Sequence, residues 1–187
     1  YKEDWEKARE RLAAWWEGEL VDRAVITVYA PRRGVSVKHQ WSGWSLIQNL
    51  DRTSWVIDEF EKRCRGMFFG GEAVPHLFIN LGPGILAAYL GAKLGIDENT
   101  VWYSPPRDIS LGEIAEMRFD AGNEWWKTTL RLAREISDAA AGKFLAGITD
   151  LNAEMNALAS LRDTQRLLTD CLDDPDGVKR AADAVHA

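Results

Sequence analysis

The sequence predicts an α/β fold, and three observations lead to that prediction. Residues 25–30, 76–81 and 144–149 are short apolar runs, as expected of strands buried on both faces. Amphipathic helical patterns separate these runs, which favours a parallel sheet with crossover helices. A complete (β/α)8 barrel takes at least about 200 residues, and this chain has 187. We therefore expect part of such a barrel, preceded by an amphipathic helix.

The opening helix has a stripe of apolar side chains. They recur three or four positions apart, as one face of a helix requires, and the stripe consists of Trp5, Ala8, Leu12, Trp15, Trp16 and Leu20. Glu, Lys and Arg fill most of the positions between them. We expect the tryptophan stripe to face a core.

A second helix is predicted over residues 53–67, where apolar side chains again follow a helical period. Gly70 and Gly71 are interpreted as its end. After the second strand, the Gly-Pro-Gly sequence at residues 82–84 turns the chain into a short helix over residues 85–90. This part of the chain therefore has the order strand, glycine turn, helix.

The second half of the chain is predicted to be mostly helical. After a brief extended piece at residues 101–103, a clear amphipathic helix occupies residues 123–142. Helical segments follow at residues 154–161 and 164–172. The Asp-Pro pair at residues 174–175 then supplies a helix cap with proline at the first helical position.

Charge and composition exclude several kinds of function. The chain has 29 acidic and 23 basic residues, a net charge of -6, whereas nucleic-acid binders usually present a basic face. The uncharged apolar stretch at residues 77–89 is shorter than the roughly 20 residues of a membrane helix. We therefore expect no membrane contact. The two cysteines lie far apart and have no zinc-ribbon or disulfide spacing, so we expect a cytoplasmic protein.

Both ends of the chain suggest that it is part of a longer protein. It begins without an initiator methionine or a secretion signal, and it stops inside a helical pattern. We therefore expect residues 1–187 to be only part of a single larger domain and to be inactive alone.

Four segments have a family resemblance. They are WEKARERLAAWWEGELVDRAVITVYAPR, FINLGPGILAAYLGAKLG, FLAGITDL and LASLRDTQRLLTDCLDDPDGVKR. Together they resemble the N-terminal half of the uroporphyrinogen decarboxylase-like superfamily. The most specific piece is residues 158–178, where Leu-Arg-(Gly or Asp)-Thr, Leu-Leu and Asp-x-Pro recur in relatives. The resemblance covers nearly the whole chain, and it implies a (β/α)8 barrel of about twice this length.

This superfamily contains the haem-pathway decarboxylase, a lyase, and cobalamin-linked methyltransferases that move methyl groups to or from corrinoid proteins and thiols. In the decarboxylase, arginines after the first strand bind substrate carboxylates, and the resemblance implies that role for Arg32 and Arg33. A surface ion pair is the alternative. The decarboxylase also has an aspartate that contacts the pyrrole nitrogens, and Gly82 stands at that place here. The resemblance therefore favours the methyltransferase branch over true uroporphyrinogen decarboxylation.

Further candidate substrate contacts follow the strands, at the functional face of such a barrel. Asn80 and Gly82 follow the second strand, where backbone N–H groups could bind an anion, although a tight turn alone also explains the glycine. Asp150 and Asn152 follow the third strand, and Asp150 could equally cap the next helix. His39 lies in the loop after the first strand, which we interpret as a lid.

The sequence predicts no metal site within this half, and it does not identify a catalytic residue. His39, His76 and His186 are scattered without ligand spacing. In methyltransferase relatives, zinc held by the later strands activates a thiol. The resemblance therefore implies zinc and a corrinoid protein partner for the full-length protein, which we expect to act on a small anionic or thiol substrate.

Two alternatives stay open. The same candidate residues at the ends of the strands could belong to a non-catalytic module that binds a small anion or a tetrapyrrole. The chain could instead be an assembly piece, for example in a homodimer, because an open parallel sheet exposes edges that another chain can cover.

Overall fold

The computed structural model describes residues 1–151 and 154–186. Its helices are α1 (Trp5–Trp16), α2 (Thr53–Gly66), α3 (Ile85–Tyr89), α4 (Leu111–Ala115), α5 (Glu124–Ala140), α6 (Glu154–Arg162), α7 (Thr164–Asp173) and α8 (Pro175–His186). Its strands are β1 (Thr27–Pro31), β2 (Met67–Gly71), β3 (His76–Leu77), β4 (Lys93–Ile96), β5 (Val101–Ser104) and β6 (Leu145–Ala146). The predicted mixture of helices and strands is confirmed. Within the described residues, no helix has both the length and the apolar character needed to cross a membrane.

The chain divides into two compact units, and neither is a single continuous stretch. The first contains Tyr1–Phe78 and Ala133–Gly147. The second contains Ile79–Leu132 and Ile148–Ala187. Helix α5 therefore contributes residues to both units.

The strands form three sheets of two strands each. Strands β3 and β6 are parallel, with His76 opposite Leu145 and Leu77 opposite Ala146. They belong to the second and third predicted strands and are parallel, as strands of the predicted sheet would be, but both are shorter than predicted. The expected burial on both faces is wrong for β6, because both of its residues are exposed. Strands β4 and β5 form an antiparallel hairpin. The sequence does not predict β4, whereas the extended piece predicted at residues 101–103 lies in β5.

The first predicted strand is wrong in its partner and in its burial. Strand β1 pairs antiparallel with β2 and is largely exposed. Gly70 and Gly71, predicted to end a helix, lie in β2, because α2 already ends at Gly66. An apolar run rich in β-branched residues fits an edge hairpin as well as a buried parallel strand. Glycine at position 71 lets the end of β2 lie close to Ile26, since a Cβ atom there would lie 2.1 Å from the carbonyl oxygen of Ile26.

The tryptophan stripe of α1 is not buried as predicted. Ala8 is the buried residue of this helix, while Trp15 is 57% exposed and Trp16 is 80% exposed. A polar contact helps to attach the helix: Arg11 Nη1 lies 3.2 Å from Oε1 of the buried Glu72. A helical period shows which side chains share a face, but it does not show how far along the helix a partner extends.

The core of the first unit is built around the apolar face of α2. Val56, Phe60 and Cys64 are buried, as their helical spacing predicts. The Phe60 ring meets the ring of Phe144 edge-on, with centroids 5.1 Å apart. Ile136 of α5 is also fully buried. A chain segment that follows α5 therefore completes a core begun by α2.

The second unit is mainly helical. Ser110 and Glu113 form a capping box at the start of α4, a segment whose sequence pattern is ambiguous. Helix α8 packs against α4, α6 and α7. Helices α6, α7 and α8 confirm the three predicted C-terminal helices, and Asp163 caps α7 by accepting hydrogen bonds from the amides of Gln165 and Arg166.

Candidate functional site

The turn after β3 is a tightly packed structure. The amide of Gly82 donates to Oδ1 of Asn80 at 3.1 Å, and the Tyr103 hydroxyl donates to the Leu81 carbonyl at 2.7 Å. Gly82 has φ +90°, and a Cβ atom there would lie 2.2 Å from Cγ2 of Val101. Backbone conformation and packing therefore account for Gly82 without a ligand. Helix α3, which follows, has five residues.

The third predicted strand ends at a buried hydroxyl group. Thr149 is 7% exposed, and its Oγ1 has no hydrogen-bond partner within the described part of the chain. Leaving such a group unpaired costs roughly 1–3 kcal/mol, and most buried polar groups are paired for that reason. The next residue, Asp150, is half-buried. The predicted contact Asn152 lies outside the described residues.

The register of the parallel strands relates this hydroxyl to the turn. His76 lies opposite Leu145, and the Gly147 amide donates to the Leu77 carbonyl at 2.9 Å. Strand pairing ends at Leu77 and Ala146; the same register, if continued for three residues along each segment, would set Asn80 opposite Thr149.

Asn80, Thr149 and Asp150 are together called the strand-end cluster below. All three belong to the second unit. They offer an amide, a hydroxyl group and a carboxylate, a combination that can hold a small polar molecule by hydrogen bonds.

Sequence reasoning missed Thr149 as a member of this cluster. The available signal is a hydroxyl residue that ends a run of apolar residues and stands directly before a charged one. That signal is weak, because a strand-end threonine usually finds a backbone partner.

The two candidate arginines differ in their surroundings. Arg32 donates from Nε to the Met67 carbonyl at 3.0 Å and from Nη2 to the Tyr1 carbonyl at 3.3 Å. Its Nη1 also pairs with Glu3 at 3.2 Å. These contacts favour the ion-pair interpretation of Arg32. Arg33 is exposed, and it remains a candidate for anion binding.

The loop that carries His39 is attached to α2. His39 itself is exposed. The amide of Gln40 donates to Oε2 of the buried Glu59 at 2.5 Å, and the Trp41 ring meets the Phe60 ring edge-on at 5.1 Å. These contacts attach the loop at residues 40 and 41, directly after His39, which argues against its moving freely as a lid.

The candidate residues divide between the two units. The first unit contains Arg32, Arg33 and His39, and the second contains Asn80, Gly82 and Asp150. Across residues 1–151 and 154–186, no three His, Cys, Asp or Glu side chains come together as a metal-binding group.

Comparisons of this chain with protein-family models, with curated proteins and with solved structures find no match. The strand-end cluster is the strongest candidate for a binding site, because it contains a buried polar group with no hydrogen-bond partner among residues 1–151 and 154–186.

Proposed function

We propose that this chain is the substrate-binding N-terminal part of a uroporphyrinogen decarboxylase-like barrel of the corrinoid-linked methyltransferase type. In this proposal the strand-end cluster binds a small anionic thiol. The observation that carries the proposal is the buried hydroxyl of Thr149, which finds no hydrogen-bond partner in the part of the chain that the structure describes. A ligand that accepts a hydrogen bond would remove the cost of leaving that hydroxyl unpaired.

The parallel pairing of β3 with β6 supports the barrel part of the proposal. Adjacent parallel strands joined through helices are the repeating unit of such a barrel, and its substrates bind beyond the carboxyl ends of the strands. In this proposal the antiparallel β1–β2 and β4–β5 pairs are additions to that unit.

Asp163 supports the family part of the proposal. It is the one residue other than glycine with a positive φ in the described chain, at 80°. With ψ at 135°, this conformation lies outside the left-handed helical region, and glycine is the residue that adopts it freely. Because Asp163 also caps α7, the structure gives a physical reason for the Gly or Asp that the resembling motif has at this position.

The chemistry of the cluster suits a ligand with two different ends. The Thr149 hydroxyl can donate to a carboxylate oxygen, whereas Asp150 would repel that oxygen and accept a hydrogen bond from a donor. A small mercaptocarboxylate offers both an anionic acceptor and a thiol S–H. In this proposal, the chain's part in methyl transfer is to bind and orient the thiol substrate.

The packing of Gly82 favours the methyltransferase type over the decarboxylase type. A side chain at this position would meet Val101 Cγ2 at 2.2 Å from its Cβ atom. The aspartate of the decarboxylase would therefore need a shift of β5 as well as a strained backbone.

Calorimetric titration of the chain with mercaptoacetate tests the binding step. We expect wild type to bind and Thr149→Val to bind at least about tenfold more weakly, because one hydrogen bond to a charged group is lost. Thr129→Val is the matched control, since Thr129 has the same 7% exposure but donates to the Trp125 carbonyl at 2.8 Å. The control should be less stable and bind normally.

Stability separates a ligand-binding hydroxyl from a structural one. Thr149→Val should be at least as stable as wild type in urea, because it removes an unpaired buried hydroxyl. Equal affinity of wild type and Thr149→Val for mercaptoacetate, or no binding by wild type, would contradict the proposal.

The reaction itself is tested on the product of the complete parent gene. Zinc content and methyl transfer from methylcobalamin to mercaptoacetate are the two measurements. Binding without transfer would favour the non-catalytic alternative. Transfer that is equally fast in Thr149→Val would show that the cluster does not position the thiol.

A further inference from the structure

The C-terminal end of α1 presents an exposed aromatic surface. Trp16 is 80% exposed, Trp15 is 57% exposed and Leu20 is 68% exposed. The two indole rings lie beside each other, with centroids 6.1 Å apart. Single exposed apolar residues are ordinary, but a contiguous group that contains two tryptophans is typical of an interaction site.

A groove beside these residues has a definite charge. Its volume is about 540 Å³, and its lining is Glu10, Ala13, Ala14, Trp16, Glu17, Glu19 and Val21. The lining contains three acidic residues and no basic one. The last turn of α1 also lacks basic residues, so its carbonyl groups add partial negative charge. This surface, which we call the Trp16 groove, is apolar at its centre and acidic around it.

The neighbouring basic residues do not cancel this charge. Arg11 is bound to Asp22, with a shortest separation of 2.7 Å, and to Glu72 at 3.2 Å. Arg9 pairs with Glu6 at 2.8 Å. Lys7 is exposed and lies one helical turn before Glu10, beyond the lining of the groove.

We propose that the Trp16 groove binds a partner protein through a basic amphipathic helix, with apolar side chains against Trp16 and Lys or Arg against Glu10, Glu17 and Glu19. A second copy of this chain would place the same carboxylates against one another in a symmetric interface. An anionic lipid surface would meet the same repulsion, because helices that bind membranes have basic polar faces. Charge complementarity therefore selects a cationic protein segment.

The proposal is tested with a fluorescently labelled Leu/Lys amphipathic helical peptide and the full chain, followed by anisotropy. We expect binding that weakens as salt is added, and an affinity at least about tenfold lower for Trp16→Ala, as for an aromatic at the centre of an interface. The double variant Glu17→Gln/Glu19→Gln should also bind more weakly. Trp102→Ala is the matched control, since Trp102 is an exposed tryptophan, at 48%, on β5.

Several results would overturn the proposal. One is that wild type and Trp16→Ala bind the peptide with equal affinity. Another is that Trp102→Ala loses as much affinity for the peptide as Trp16→Ala does. Binding of a Leu/Glu peptide of the same pattern with similar affinity would show that charge does not select the partner. Sedimentation that finds a dimer lost in Trp16→Ala would assign the groove to a second copy. Binding to phosphatidylserine vesicles that Trp16→Ala abolishes would assign it to a membrane.

Discussion

Replacing Glu72 by glutamine would test what holds the first unit together. The Glu72 side chain is buried and accepts hydrogen bonds from two guanidinium nitrogens of Arg23, each at 2.7 Å. It also accepts from Arg11 at 3.2 Å and from the Ile26 amide at 2.9 Å. The hydrogen bonds from Arg23 are the largest cause that lowers the pKa of Glu72, to about 2 from an ordinary 4.5.

The size of the effect follows from this shift. One pKa unit corresponds to about 1.4 kcal/mol, so lowering the pKa from 4.5 to about 2 corresponds to about 3 kcal/mol of stability from the ionised carboxylate. Glutamine keeps the size of the side chain but leaves two guanidinium groups beside a neutral amide. Since Arg23 retains 37% of its exposure, we expect the variant to lose roughly 2–3 kcal/mol at neutral pH.

The loss should depend on pH in a defined direction. Because the pKa of Glu72 is lower in the folded chain, the stabilisation is complete above pH 4.5 and disappears as the pH falls towards about 2. The difference between wild type and Glu72→Gln should therefore narrow over that interval.

Urea unfolding followed by tryptophan fluorescence measures this difference at each pH. Glu98→Gln is a suitable control, because Glu98 is exposed and its replacement should change the unfolding free energy by less than about 0.5 kcal/mol. If Glu72→Gln changed stability as little as the control, or if its effect did not narrow in acid, the argument from the buried carboxylate would be refuted.

Three further predictions concern other positions. Gly82→Ala should lose more than about 1 kcal/mol in urea unfolding, because φ is +90° and the new Cβ atom meets Val101; unchanged stability would contradict the packing of the turn. Iodoacetamide should modify Cys171 well before Cys64, because burial raises the pKa of the Cys64 thiol to about 11; equal rates would show that Cys64 is not buried. Asp163→Ala should cost about 2 kcal/mol and Asp163→Gly much less, since glycine relieves the positive φ; equal losses would mean that the cap alone matters.

The helices could be predicted from the sequence because their apolar residues repeat strongly. The α2 pattern places Val56, Phe60 and Cys64 on one face, and all three are buried. The three C-terminal helices follow from the same period and from the Asp-Pro cap at residues 174–175. Such signals lie within one element, so they can be recognised without knowing which other element packs against it.

The pairing of β1 could not be predicted, because a strand's partner is a property of distant residues. Its partner β2 contains Gly70 and Gly71, which locally resemble a helix end. The exposure of Trp15 and Trp16 was equally inaccessible, since a helix face needs a second element to bury it.

The candidate site shows the same division between local and distant information. The sequence singles out Asn80 and Asp150 as candidates because each follows a predicted strand. The sequence does not reveal that Arg32 is occupied by two backbone carbonyls and Glu3, or that the Thr149 hydroxyl has no partner in the described chain. The contacts of Arg32 include a residue far away along the sequence, Met67. The state of the Thr149 hydroxyl depends on which atoms the fold places around it.

The division of the first unit into two separated stretches affects its synthesis. Phe144, which covers Phe60, and β6, which pairs with β3, are made only after the whole of residues 79–132. While that stretch leaves the ribosome, the apolar face of α2 has no complete core to enter. A pause in translation there lengthens the period in which a chaperone or a neighbouring nascent chain can bind Val56, Phe60 and Cys64.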